Sequence, residues 1–388
     1  MAPQDQIVPS RDLTSAPARS KTPAATAGIH ELVAAVRPAA EQVGYHRAVR
    51  TRRLGPTTVS ALGGGDLCLA TSAGRGVPAR EVEHALHEAI GFGVSLFDVA
   101  ADADSQKLAG QAVRAARARD RVVLATRVPL LDERPDAPGR GLRERLSMPY
   151  IQHRVEAALR ATRLDALPLA QLALRPAWRG TAAWPELVGT CARLVGEGKV
   201  VAWGAVIDEP EHEAAPALVA EPWLAAVSVV YCVCDRRAQP VIDAAAGREL
   251  AVLARRPLAG GTLAGGFGPG VRLPPRDDRN DLDAATLERI AVAMARLSTL
   301  VEHEPPAARS CEPALEAAER ARRDAPRRDA IACADVAELA LRYVLDRAIA
   351  LPRLHRRAHL LPGVAAAAAP PLPADLAAEI EQIFDGSP

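Results

Sequence analysis

The chain has 388 residues, 49% of them hydrophobic and only 3% aromatic, with 48 Lys+Arg against 47 Asp+Glu and a formal net charge of +1. That is enough apolar material for one large domain or two modest ones, and so even a charge balance argues against nucleic acid or a membrane surface as partner. No run of 18 uncharged apolar residues exists to span a membrane, and no apolar segment follows the first charges as in a secretory signal, so a cytoplasmic protein is expected.

Nearly all the positive charge is arginine, since Lys21, Lys107 and Lys199 are the only lysines. With the abundance of Ala and Pro, this is the mark of a GC-rich genome more than of a function. Six cysteines without a C-x-x-C pattern read as reduced thiols. Cys232 and Cys234 are expected on one face of a strand. A soft metal needs more ligands than two, so they read first as small packed apolar groups.

Residues 1–28 are rich in Pro, Ala, Ser and Thr and show no periodicity, which predicts disorder. A short amphipathic helix over His30–Arg47, weakened by Pro38, completes an N-terminal extension over residues 1–50. From residue 51 a regular alternation begins. Strand-like apolar runs are predicted at Val59–Gly63, Val94–Val99, Val122–Val128, Leu167–Leu174, Val200–Val206, Ala226–Val233, Leu250–Leu253 and Ala348–Leu351. Between them come helical patterns at Arg80–Ile90, Ser105–Ala118, Pro149–Thr162, Thr181–Glu197, Pro210–Val219 and Arg237–Ala246, a long one within Asp281–Leu345, and Ala374–Phe384. Alternating strands and helices predict an α/β fold with a parallel sheet, and near-continuous apolar strands predict one buried on both faces. The reading is a (β/α)8 TIM barrel over residues 51–388, with a polar insertion at 268–330 between the last two strands.

Five stretches, "RRLGPTTVSALGGG" (Arg52–Gly65), "LFDVA" (Leu96–Ala100), "RDRVVLATRV" (Arg119–Val128), "LVGEGKVVAWGAV" (Leu194–Val206) and "RPLAGGTLAGGFG" (Arg256–Gly268), resemble the aldo-keto reductases in order and approximate spacing. The resemblance runs from about Arg52 to Phe384. It implies a barrel that reduces carbonyls with NADPH through a tetrad of Asp, Tyr, Lys and His. Hydride delivery builds alkoxide charge, which needs a proton donor beside the oxygen. In the family the tyrosine donates, the lysine lowers its pKa, the aspartate orients the lysine and the histidine positions the substrate.

Carried onto this sequence, the aspartate position is Asp98, the tyrosine position Ala103, the lysine position Arg127 and the histidine position Ala173. Tyr45, Tyr150, Tyr231 and Tyr343 are the only tyrosines, and none falls in the second βα loop. Arginine is a planar, permanently charged fork, a poor substitute for a tunable lysine. The nicotinamide-holding Ser-Asn pair corresponds to Val206 and Ile207, the glutamine of strand six to Ser228, the following asparagine to Cys232 and the ring-stacking aromatic to Arg255. Leu258 and Gly260 belong to the loop that folds over the pyrophosphate in the family, although no G-K-[ST] follows. The adenosine-phosphate segment reads "PRLHRRAH" (Pro352–His359), with Arg353 and Arg356 as its basic residues. The expectation is that no cofactor is bound, and that any cofactor is NADP(H).

Strand tips also supply Arg175, Asp208 and Asp235, so arginines and carboxylates ring the expected barrel mouth. The ring either recognises a small anionic or zwitterionic molecule or pairs internally; Asp98 with Arg127 is the simplest such pair. Cys232 lacks a histidine to serve as its base, and Trp178 and Trp184 either line a pocket or cap the barrel. Function then reads as a pseudoenzyme, a binding or scaffold subunit standing beside an active aldo-keto reductase homologue, or as a non-redox protein repurposed for a small polar metabolite in specialised metabolism. The alternative is an active oxidoreductase with an unusual proton donor, such as water relayed by Asp98.

Overall fold

The structure is a computed structural model, and it describes residues 49–67, 77–131, 141–208, 211–248, 250–264, 284–301 and 335–384. The expected helix over His30–Arg47, the expected disorder before it and most of the 268–330 insertion lie outside the described residues.

An antiparallel hairpin opens the fold, β1 (Thr51–Leu54) with β2 (Thr57–Ser60), turning at Gly55 with φ of 53°. Eight parallel strands follow: β3 (Gly64–Leu67), β4 (Leu96–Val99), β5 (Val123–Val128), β6 (Leu169–Ala173), β7 (Trp203–Val206), β8 (Leu224–Val230), β9 (Ala251–Arg255) and β10 (Ile349–Leu351), hydrogen-bonded in sequence order. The sheet closes where the chain before β3 meets β10. Leu62 bridges Ala350, the Gly63 N–H donates to Ala350 O at 2.8 Å, and the Gly65 N–H donates to Pro352 O at 2.7 Å.

Helices cover the outside: α1 (Ala79–Gly91), α2 (Ala103–Ala115), α3 (Leu142–Arg145), α4 (Met148–Thr162), α5 (Trp184–Gly196), α6 (Pro216–Val219), α7 (Gln239–Ala246), α8 (Ala284–Ser298), α9 (Val336–Leu345), α10 (Arg357–Ala368) and α11 (Ala374–Phe384). This is the predicted (β/α)8 barrel. None of the described helices is long and apolar enough to cross a membrane.

Strand alternation sorts the apolar residues into two separate cores. Phe97, Leu124, Ala170, Leu172, Ala205, Val227, Val229 and Ala254 face the helices. Leu96, Val123, Ala125, Leu169, Ala202, Ala226, Ala251, Leu253, Ile349 and Leu351 face the barrel interior, where Leu54 and Val59 of the hairpin pack with them. The hairpin is thus a plug for one end of the barrel.

Several expected boundaries need correction. Val59–Gly63 is not the first barrel strand: Val59 and Ser60 belong to β2, and the glycine-rich β3 takes that place. Glycine is required there because neighbours come so close. A Cβ on Gly65 would stand 2.0 Å from the Leu351 carbonyl oxygen, and one on Gly64 2.6 Å from the Phe97 ring. The helix expected at Pro210–Val219 shrinks to α6, and the long one within Asp281–Leu345 shows as α8 and α9. Helix α10 was not anticipated. Finally, β8 stops at Val230, so Cys232 and Cys234 do not share a strand face. The Cys232 N–H donates to Asp235 O and the Asp235 N–H to Cys232 O, at 3.1 and 3.2 Å, which turns the chain there.

Candidate active site at the barrel mouth

Counting by twos up each strand from the interior core identifies the side chains that reach the C-terminal rim, where barrel chemistry is sited. From Leu96 the count reaches Asp98, from Ala125 Arg127, from Leu169 Gln171 and Ala173, from Ala226 Ser228, and from Leu253 Arg255. Asp98, Gln171 and Ser228 come from alternate strands, as the members of one barrel layer do. Gly204, paired with Gln171 across β6 and β7, leaves room for that side chain, since a Cβ there would lie 3.2 Å from Gln171 Cγ.

Asp98 is 1% exposed and its carboxylate is held on both oxygens. Arg127 Nε donates to Oδ1 at 3.1 Å, an Arg127 terminal nitrogen donates to Oδ2, and Gln171 Nε2 donates to Oδ1 at 3.1 Å. The pairing is a bidentate fork. Beside Asp98, the Arg127 guanidinium is pushed well above its ordinary value, against the opposing effect of burial.

Arg255 lies across the rim. It donates to Ile207 O at 3.0 Å and approaches Asp208 Oδ1 at 3.6 Å. Burial and then the charge of Arg127 lower its pKa. Asp208 itself is 66% exposed. Arg175 lies 3.9 Å from Glu211 and 5.7 Å over the Trp178 ring. Trp178 is on the short 3-10 turn Pro176–Gly180, whereas Trp184 opens α5 and packs on Trp223, ring centroids 6.1 Å apart. Asp235 pairs with Arg237 at 2.7 Å.

Ala173 ends β6. Ala103 is the exposed first residue of α2, whose start is fixed by the Asp102 carboxylate accepting from the Ser105 N–H at 2.8 Å. Tyr231 points away from the rim: its hydroxyl lies 3.4 Å from Tyr343 and also meets Gln239, and the Tyr343 hydroxyl donates to Glu381 at 2.7 Å. Burial pushes the Tyr231 phenol well up. Leu258 and Gly260 begin a tight turn after β9, with φ of 47° at Ala259, 67° at Gly260 and 95° at Gly261. Its continuation over residues 265–270 lies outside the described residues.

In the Pro352–His359 strip, Arg353 is 2.5 Å from Asp66 and Arg356 is 3.9 Å from Glu81, while Arg357 pairs with the buried Glu88. His355 is buried, and burial followed by the Arg353 charge pushes its pKa down to about 4. Asp66 is opposed by burial, yet Arg353 outweighs that and holds its carboxyl below the ordinary value. Among the described residues, no group of three or more His, Cys, Asp or Glu could hold a metal.

Asp66 and Gln171 are absent from the sequence reading. Gln171 was visible as the one amide inside an apolar run. Asp66 was obscured by ending the first strand at Gly63.

The aldo/keto reductase family model matches residues 61–385, most of the chain and all of the barrel. The chain belongs to the aldo/keto reductase family. Among solved structures, it is similar to a glycerol dehydrogenase from Gluconobacter oxydans, with a TM-score of 0.61 and 20% identity over 86% of this chain and 94% of that one. It is also similar to an aldo-keto reductase from Bacillus halodurans in its holo form, with a TM-score of 0.55 and 20% identity over 86% of this chain and 96% of that one. A third, from Klebsiella pneumoniae in complex with NADP and acetate, gives a TM-score of 0.53 and 20% identity over 87% of this chain and 95% of that one. No curated protein matches. At such identity these likenesses speak for the family's barrel and leave the chemistry to the residues at the rim.

Proposed function

We propose that this family member does not carry out nicotinamide-dependent carbonyl reduction and instead binds a small polar molecule at the barrel mouth. The observation that carries this is the engagement of Asp98. Both of its carboxylate oxygens accept hydrogen bonds, from the Arg127 fork and from Gln171, and no tyrosine among the described residues faces it. Without a tyrosine beside Arg127, the described rim offers no phenol to protonate an alkoxide.

The residues do not fit NADP(H) as the family holds it. Arg255 stands where the resemblance puts the stacking aromatic, and it donates to the Ile207 carbonyl, at one of the two positions implied for holding the carboxamide. Val206 is apolar at the other. The arginines expected on the adenosine phosphate have carboxylate neighbours, Asp66 for Arg353 and Glu81 for Arg356. Support for a polar ligand comes from Gln171 Oε1, Ser228 Oγ and Arg255 Nε, buried polar atoms with no hydrogen-bond partner among the described residues. Such atoms are uncommon enough to call for an explanation, and together they offer an acceptor, a hydroxyl and a cationic donor.

The second reading, an active oxidoreductase with an unconventional proton donor, is favoured by the family itself and by the NADP in the Klebsiella pneumoniae structure. A titration with NADPH followed by intrinsic tryptophan fluorescence separates the two. No saturation at micromolar NADPH, and no NADPH consumption with a panel of aldehydes and ketones, is the expected result. Micromolar binding, or dinucleotide-driven turnover of any carbonyl, overturns the proposal. Native mass spectrometry of the purified chain then looks for a co-purified polar ligand.

A further inference from the structure

Immediately beyond β8, the Cys232 and Cys234 sulfurs approach to 3.3 Å. The approach is built into the backbone, because the two hydrogen bonds between Cys232 and Asp235 pin the turn that carries both residues. A disulfide needs sulfurs about 2.05 Å apart, so roughly 1.2 Å of movement separates this dithiol from a bond. The two differ in access. Cys232 is 1% exposed, whereas Cys234 is half-buried.

We propose that Cys232 and Cys234 form a reversible redox dithiol on the rim of the barrel, oxidised to an intramolecular disulfide by small hydroperoxides. Neither the family resemblance nor the ligand reading requires this pair. In the first step the Cys234 thiolate attacks one oxygen of the hydroperoxide. The O–O bond breaks, Cys234 becomes a sulfenic acid, and the alkoxide leaves and takes a proton from solvent. In the second step the Cys232 sulfur attacks the sulfenic sulfur. An S–S bond forms, the S–O bond breaks, and water departs with the Cys232 proton. Two electrons pass from the two thiols to the peroxide. A small dithiol returns the pair to the reduced state by thiol–disulfide exchange.

Cys234 is the attacking residue for two reasons. It is the more accessible, and the hydrogen bond with Cys232 holds its pKa below the ordinary value against burial, while the same contact and burial raise Cys232. A reactive thiol needs both access and thiolate character. The Asp235 charge acts against the thiolate, but Arg237 engages both of its oxygens, at 2.9 and 2.7 Å. A metal role is less well served, because the pair belongs to no metal-holding group among the described residues. Cys191 is a built-in control: it is buried, and burial raises its thiol far above the reactive range.

The test uses the full chain, reduced, desalted and exposed to one equivalent of hydrogen peroxide, then labelled with N-ethylmaleimide in denaturant and digested with trypsin. The peptide Val200–Arg236 contains Cys232 and Cys234 and no other cysteine. It is expected unlabelled and two hydrogens lighter, restored to full labelling by dithiothreitol, while Cys191 stays labelled throughout. In C232S, dimedone is expected to trap a sulfenic acid on Cys234. In C234S, Cys232 is expected to remain a free thiol at the same dose. Full labelling of Val200–Arg236 after peroxide overturns the proposal, as does oxidation of Cys191 at an equal rate, or identical behaviour of C232S and C234S. Peroxide acts before denaturation, so the labelling of buried Cys191 in each variant shows whether the fold had opened during oxidation.

Discussion

At the scale of single residues, the barrel mouth is dominated by charge taken out of water. Asp98 is buried with Arg127 folded onto it, and breaking such a pair from one side leaves the other charge without compensation. Asp98→Asn is therefore expected to lower unfolding free energy by about 3 kcal/mol, measured by urea denaturation. Loss of a catalytic activity with stability unchanged is the result that contradicts a structural role. His355 makes the complementary case. Its folded pKa of about 4 lies below the ordinary 6.5, so between those values the unfolded chain binds more protons. Its contribution to stability is complete above the unfolded pKa and falls as pH drops from about 6.5 toward 4, by up to about 1.4 kcal/mol per pH unit. Thermal melts of His355→Gln from pH 7.5 to 4.5 are expected to slope less steeply than those of the parent. An identical slope rules out the histidine as the cause. The Asp98–Arg127 pair could be read from sequence because both residues lie one short of the end of an apolar strand, at the positions that the family resemblance gives to an aspartate and its lysine partner. Gln171 as its third partner could not, since only the closed barrel brings a side chain two strands away to Asp98.

At the scale of elements, the seam between β3 and β10 is a tight junction. A methyl group on Gly65 collides with a carbonyl oxygen of β10, and backbone cannot step aside as a side chain does. Gly65→Ala is expected to cost about 3 kcal/mol, the upper end of overpacking penalties. On α5, Gly189 has nothing within 4 Å of an added Cβ. Gly189→Ala should instead gain about 0.5 to 1 kcal/mol from helix propensity. Chemical denaturation of both variants checks the contrast, and equal effects would remove the seam as its explanation. The same glycines explain why the first barrel strand was misread: β-propensity favours branched residues, and β3 is defined by close approach. Helix α10 escaped for another reason. It carries Pro362 internally, and apolar and alanine residues surround it on all sides, so no amphipathic stripe marks it. Helices α4 and α5 were legible because each shows one buried stripe, Ile151, Val155, Ala158 and Thr162 in the first and Leu187, Thr190, Cys191 and Leu194 in the second.

At the scale of the whole molecule, family and function separate. The barrel survives at 20% identity with its solved relatives, because alternation of buried strands and half-buried helices tolerates wide substitution. Rim residues are under no such averaging, and each is a separate chemical statement. That is why the barrel was readable in outline from residue 51 onward, while the rim had to be rebuilt atom by atom from the contacts between strands.

The hairpin at the start of the barrel carries a consequence for traffic. With Leu54 and Val59 seated among the innermost side chains, the barrel is a cup and not a pipe. A small solute that reaches Asp98 or Ser228 must return past the same lip it crossed on entry. The arginines and the Cys232–Cys234 turn stand on that lip, so any change in their charge or bonding falls directly on the doorway.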